Sequence, residues 1–327
     1  MMNSTPAPHP LDGYRQLLRD ILDHGVRRPN RTGEDTLFLP GAMLKFDMRE
    51  GFPVFTARKF AFKSMVGELL GFFRGYSSAA DFRALGCKVW DANANSTPGW
   101  LANPNRKGVD DIGRAYGVQW TDWKDWRVAQ SDAEAQRLAQ QGYSCVLEGH
   151  RFDEPAGVYC KGVNQLEQAL RTILTDPTSR RNIITAWRPD EHDRMALPAC
   201  HTNYTWLCDT ESRTLHLTTE MRSWDTVLAF NIQLSSLFLH IMARLAGYTP
   251  GTVTLFVADA HVYLSHVPGL SEMLQRQEHP LPRLGMSSRL QALTPDDVPG
   301  VFSQLQPTDF WLEGYTHEPP IAFQMAA

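Results

Sequence analysis

Leu197-Pro198-Ala199-Cys200-His201 opens the stretch whose reading decides the fold. Strand-like runs follow over 204–207 and 215–219, and Met221-Arg222-Ser223-Trp224-Asp225 then leads through Phe230-Asn231 into a helical apolar face. Ile232, Leu234, Leu237, Phe238, Ile241, Met242 and Leu245 carry that face until Gly247 stops it, and strand character returns over 252–257. Strands and helices interleave here without a repeating βαβ rhythm or a glycine-rich phosphate loop. The pattern predicts an α/β (α+β) domain with a mixed sheet flanked by helices, not a doubly wound nucleotide fold. The same stretch pairs Cys200 with Arg222 on a neighbouring strand, and a guanidinium beside a thiol favours the nucleophilic thiolate. Taken alone, a cysteine next to a proline reads equally well as a small core residue.

Working outward, Leu11, Tyr14, Leu17, Leu18, Ile21 and Leu22 predict a helix that Gly25 ends ahead of Asn30-Arg31-Thr32-Gly33. Residues 36–46 and 52–56 read as short strands. Val66, Leu69, Leu70 and Phe73 mark a helix ending near Gly75, with Glu68 among its apolar residues. The stretch 90–113, rich in Asn, Pro and Gly, reads as a long loop. Further on, 123–162 reads as an insertion with a helical piece over 133–139, 165–174 as a helix, and 182–187 as a strand entered through Arg180-Arg181. Composition never shifts sharply enough to mark a linker, so one domain over 1–327 is expected, with insertions at about 94–112 and 123–162.

The 327 residues are 43% apolar and 21% charged with a net charge of -4, which gives no general attraction for nucleic acid or an anionic membrane. Recognition of a phosphate must come from locally clustered arginines, which suits a small phosphorylated ligand. Cys87, Cys145, Cys160, Cys200 and Cys208 are odd in number and form no CxxC pair, arguing against a disulfide framework and a zinc site. No metal and a cytoplasmic setting are expected. Residues 1–10 show no signal pattern, and no apolar run approaches the length of a membrane span.

Motifs dispersed in order along nearly the whole chain resemble those of the thymidylate synthase family. They include Arg31-Thr32-Gly33, Gly67-Glu68-Leu69-Leu70, Trp90-Asp91, Ala115-Tyr116-Gly117-Val118-Gln119-Trp120, Ser179-Arg180-Arg181 and Pro198-Ala199-Cys200-His201. Arg222-Ser223, Asp259-Ala260-His261-Val262-Tyr263 and Glu313-Gly314-Tyr315 complete the series. The resemblance implies transfer and reduction of a one-carbon unit from 5,10-methylenetetrahydrofolate to carbon 5 of dUMP. Cys200 is similar to the cysteine that adds to carbon 6, Glu68 to a glutamate that organises water and proton transfer, and Tyr116 to a tyrosine that helps remove the carbon-5 proton.

By the same resemblance, Arg31, Arg222 and Ser223 bind the nucleotide phosphate, and Arg180 and Arg181 reach it from the other subunit of a homodimer. Asn231 corresponds to the amide that reads the uracil edge, and His261 and Tyr263 to the pair that holds the sugar 3'-hydroxyl. For the folate, Asp225 resembles the carboxylate on the pterin, Trp90 an aromatic wall, and Arg58 or Lys59 a contact for the glutamate tail. Gln324-Met325-Ala326-Ala327 resembles a C-terminal flap.

Two departures from the family pattern matter. Met221 stands where Gln is usual, and only the five residues 226–230 separate Asp225 from Asn231. Both features suit an alternative outcome, a dUMP hydroxymethylase in which water attacks the methylene intermediate to give 5-hydroxymethyl-dUMP. A Cys-His thiol hydrolase is a poorer reading, because adjacent strand side chains point to opposite faces and Cys200 and His201 are adjacent. A catalytically dead nucleotide- or RNA-binding relative is opposed by the retained Cys200, Glu68 and Tyr116 and by the acidic balance.

Overall fold

The helix Asn231–Ala246 is buried on nearly every side, which explains why its apolar face is so broad. Gly247 ends it in the left-handed conformation, φ 71°, with its N–H turned back to carbonyls of the last turn. This computed structural model describes residues 9–30, 32–148, 156–228 and 230–323.

The helix serves as a crossover. It joins Thr214–Met221 to Thr249–Tyr263, which pair in parallel, and a parallel pair cannot be closed by a tight turn. Thr249–Tyr263 forms the middle of the sheet: Thr36–Asp47 lies antiparallel on its other side, and the short strand Trp224–Asp225 adds a second parallel contact. Beyond Thr36–Asp47 comes Val26–Arg28, while His201–Asp209 and then Ile183–Thr185 extend the sheet past Thr214–Met221. The sheet is therefore mixed, as the sequence pattern predicted. Val253, Leu255 and Val257 alternate inward, whereas Phe256 between them faces out.

Helices Asp12–His24, Phe62–Phe73 and Gln165–Thr175 occur where helical spacing placed them. The segment 52–56 is not a strand. It is a buried, irregular run whose Phe52 N–H bonds to Pro282 and whose Thr56 and Ala57 N–H groups go to the Glu278 carboxylate, both at 3.1 Å. Its apolar residues are explained by burial on several sides, which a strand pattern mimics. The stretch read as a loop after Trp90 contains two short helices, Asp91–Asn95 and Pro98–Leu101.

Strands Trp123–Ala129, Ser144–Glu148 and Gly157–Val163 form a separate antiparallel sheet with Gly157–Val163 in the middle. Helix Asp132–Gln140, capped by the Ser131 hydroxyl, accounts for the helical spacing over 133–139. Among the described residues no helix is long and apolar enough to cross a membrane, and no group of three His, Cys, Asp or Glu side chains is placed to hold a metal.

Candidate active site

One cavity of about 670 Å³ opens at the C-terminal end of the parallel strands, where the core helix begins. Its wall includes the three expected catalytic residues, Cys200, Glu68 and Tyr116. Cys200 ends the loop that enters strand His201–Asp209, and Arg222 follows the neighbouring strand. The Arg222 fork donates to the carbonyls of Ala199 at 3.0 Å and Pro198 at 2.8 Å, and its backbone N–H bonds Cys200 O at 3.0 Å. These bonds hold the loop so that Nη2 lies 3.9 Å from Cys200 Sγ. Arg222 thus shapes the nucleophile's setting and also lines the space in front of it.

Tyr116 reaches the same point from the other side. Its hydroxyl oxygen accepts the Cys200 N–H at 2.6 Å, and its ring stacks on Phe72 at 4.9 Å and 5°. Packing this close depends on Gly117, where an added Cβ would lie 2.2 Å from the Phe72 carbonyl oxygen. Tyr116 itself sits at φ 35°, a strained conformation for a residue with a side chain. Burial, then the neighbouring Cys200 sulfur, raises its phenol well above the ordinary range.

Glu68 projects from helix Phe62–Phe73 beside Trp90. Burial pushes its carboxyl up to about 8, with the indole opposing only part of the rise, so the acid is mostly protonated at neutral pH.

Asn231, the first residue of the core helix, places its carboxamide at the cavity wall. Its Nδ2 lies 2.5 Å from His201 Nε2 and 3.8 Å from Met221 Sδ. His261 and Tyr263 come from the end of the long strand Thr249–Tyr263 and also line the cavity, as does Ser223. The His261 ring is held by Asp259 at 3.2 Å, and Asp259 is also paired with Arg28.

Asp225 and Trp90 also line the cavity, Asp225 paired with His261 in the sheet and Trp90 with its ring 5.3 Å from that of Tyr116. Asp225 Oδ1 accepts the N–H groups of Val227 and Leu228, each at 3.2 Å, and burial raises its carboxyl despite the nearby His266 and His261. Arg58 and Lys59 behave differently from each other. Arg58 is buried, donates to the Val227 carbonyl and lies between the Phe55 and Phe323 rings, whereas Lys59 is exposed at the rim.

Arg180 and Arg181 are exposed and outside this cavity, next to the edge strand Ile183–Thr185. Arg31 lies outside the described residues, but Asn30 and Thr32 on either side of it line the cavity. The flap residues 324–327 also lie outside the described residues, while Ile321 and Phe323 reach the wall.

The thymidylate synthase family profile matches residues 12–327. The thymidylate synthase of Pseudomonas putida is 43% identical over 319 residues, covering 96% of this chain and 99% of that protein. The thymidylate synthase of Bordetella parapertussis has the same identity and coverage, and that of Haemophilus influenzae is 33% identical over 315 residues, 95% of this chain and 98% of that protein. The chain belongs to the thymidylate synthase family. It is accordingly a one-carbon transferase, and the hydroxymethylase alternative is not favoured.

Sequence reasoning missed several wall residues of this thymidylate synthase family site. Arg28 pairs with Asp259, a motif residue without a role assigned from sequence, beside His261, and Asn93 enters from the short helix after Trp90. In sequence His201 reads only as a neighbour of Cys200, yet its ring meets the Asn231 amide. The sole local signal was its place next to the nucleophile. Met221, which stands where Gln is usual, places its thioether against the Asn231 amide.

Proposed function

We propose that the enzyme transfers and reduces a one-carbon unit from 5,10-methylenetetrahydrofolate to carbon 5 of dUMP, giving dTMP and dihydrofolate. The observation that carries this reading is the convergence of Cys200 Sγ, the Arg222 guanidinium and the Asn231 amide on one cavity. Carbon 5 of a uracil becomes nucleophilic only when a nucleophile adds to carbon 6, and Cys200 supplies that nucleophile. Asn231 reads the base edge because a carboxamide can both donate and accept. The contact with Met221 sulfur is weak and is readily exchanged for one with a base oxygen.

Glu68, mostly protonated at neutral pH, donates a proton through water as the ring acquires enolate character, and Tyr116 assists removal of the carbon-5 proton. Arg31, Arg222 and Ser223 bind the phosphate, and His261 and Tyr263 hold the sugar. Asp225, Trp90, Arg58 and Lys59 form the folate side, with Lys59 the freer cation for the glutamate tail and residues 324–327 the flap.

The site is completed in a homodimer, with Arg180 and Arg181 of the partner subunit supplying further phosphate contacts. The outer sheet face supports this, since Met43, Ile183, Phe256 and Leu207 are 63%, 49%, 45% and 44% exposed there, more apolar surface than a solvated sheet face usually carries. We further read 94–112 and 123–162 as insertions in a single domain, and the five free cysteines as suited to the cytoplasm. Incubating the enzyme with dUMP and the reduced folate, weighing the nucleotide product and following dihydrofolate by absorbance tests the function. One dTMP and one dihydrofolate per turnover is expected. A product heavier by one oxygen without dihydrofolate would overturn it.

A further inference from the structure

His201 and Tyr204 are three residues apart on one strand, a spacing that puts side chains on opposite faces of a regular ladder. The ladder is irregular here. Met221 and Glu220, consecutive on the neighbouring strand, pair with His201 and Asn203, and the extra residue turns both His201 and Tyr204 inward. Their ring centroids are 5.5 Å apart at 50°.

The core helix presents a matching pair. Asn231 and Ser235 are four residues apart, so they lie on one helix face a turn from each other. Asn231 meets His201 at 2.5 Å, and the Tyr204 hydroxyl faces the hydroxyls of Ser235 and, from the neighbouring strand, Thr219. The result is two layers: His201 with Asn231 at the cavity wall, and Tyr204 with Ser235 behind them.

Three polar atoms of these layers, His201 Nδ1, Tyr204 Oη and Ser235 Oγ, are shielded from solvent without an aligned hydrogen bond. Burial pushes His201 down to about 3, so the imidazole is neutral and has one N–H. Where Nε2 accepts from Asn231, that hydrogen is on Nδ1 and requires an acceptor. Leaving buried polar atoms unmatched costs ~1–3 kcal/mol each, and a single internal water typically makes about three hydrogen bonds.

We propose that Tyr204 and Ser235 are positioning residues which hold a buried water against His201 Nδ1, fixing the imidazole tautomer that orients the Asn231 carboxamide for uracil. The tautomer matters because Asn231 has two orientations. With its NH2 group toward His201, the amide has the donor and acceptor arranged for uracil O4 and N3–H. If the proton moved to Nε2, the amide would flip its oxygen toward His201 and offer the reversed pattern, which complements cytosine N3 and its amino group. The two hydroxyls thus bear on base choice without touching the base. This inference rests on the dUMP reading above.

The test compares the parent with Tyr204→Phe, Ser235→Ala and Ser235→Thr. Two readouts are needed: the ratio of kcat/KM for dUMP to that for dCMP, and the ¹⁵N shifts of the His201 ring, assigned by their loss in His201→Gln. Tyr204→Phe and Ser235→Ala should each lower the dUMP preference by roughly tenfold, the size of one lost buried hydrogen bond, and should mix the His201 tautomers. Ser235→Thr keeps the hydroxyl and should restore both. A reduced Tm with an unchanged base ratio and a single unchanged tautomer would reduce Tyr204 and Ser235 to packing and overturn the proposal. If the parent failed to turn over dUMP, the functional reading would fail, while the ¹⁵N spectra would still decide whether the hydroxyls fix His201.

Discussion

Glu68→Gln should make the protein more stable at alkaline pH while removing its activity. Burial raises the Glu68 carboxyl from an ordinary 4.5 to about 8, and the adjacent Trp90 indole offsets only part of this. Because the folded-state value lies above the unfolded one, the stability linked to this group is fully present below about pH 4.5. It is lost progressively as pH rises and is gone once pH passes through about 8, where the buried acid must ionise. At ~1.4 kcal/mol per pH unit the loss is about 3 kcal/mol by pH 7 and about 5 kcal/mol above pH 8, as upper bounds. Glutamine keeps the size and a donor but cannot ionise. Urea unfolding at equal protomer concentration should therefore give nearly equal stabilities at pH 4.5 and a gap in favour of Glu68→Gln that opens toward pH 9. Parallel stability curves across that range would show that Glu68 does not bear a buried, raised acid. Retained turnover in Glu68→Gln would separately remove it from proton transfer.

Cys200→Ser should abolish product formation yet bind dUMP with little loss by calorimetry, because a hydroxyl ionises far less readily than a thiol while the phosphate donors remain. Asn231→Asp should shift base preference toward dCMP, measured as the ratio of kcat/KM values, since a protonated carboxyl complements the cytosine edge. Mixing inactive Cys200→Ser with inactive Arg180→Ala should recover activity after subunit exchange, because one of the two sites in each hybrid then receives both native residues. No recovery in confirmed hybrids would count against shared sites.

The sheet and core helix were legible because apolar periodicity reports burial directly, and inward positions such as Val253, Leu255 and Val257 alternate cleanly. Segment 52–56 misled for the same reason: it is buried, but its backbone partners are a distant carboxylate and Pro282 instead of a neighbouring strand. Motif positions brought Cys200, Glu68, Tyr116 and Asn231 to one cavity because Cys200, Tyr116 and Asn231 lie at the ends of elements and Glu68 projects there from mid-helix. What the sequence hid depends on local irregularity. A one-residue bulge decides where His201 and Tyr204 point, and no periodicity rule applied to a regular strand finds it. The sequence likewise could not separate Arg58 from Lys59 as a contact for an anionic tail, whereas the structure buries Arg58 against the Val227 carbonyl and leaves Lys59 exposed.

The short spacer between Asp225 and Asn231 is closed by its own hydrogen bonds. Thr226 directs both its N–H and its hydroxyl to the His261 carbonyl at 3.0 Å, and the Tyr14 hydroxyl donates to the Thr226 carbonyl at 2.9 Å. Asp225 takes the next two N–H groups, and Arg58 takes the Val227 carbonyl. Thr226 and Val227 are fully buried, so these bonds replace water for the backbone that carries them. A longer spacer would have to bulge from the strand end before the helix begins at Asn231. Here the chain passes directly from Asp225 into a turn that the Asp225 side chain itself closes. The carboxylate proposed to meet the pterin is thus also the anchor of the turn beside it, so a folate that draws on Asp225 would pull on the hydrogen bonds that hold that turn.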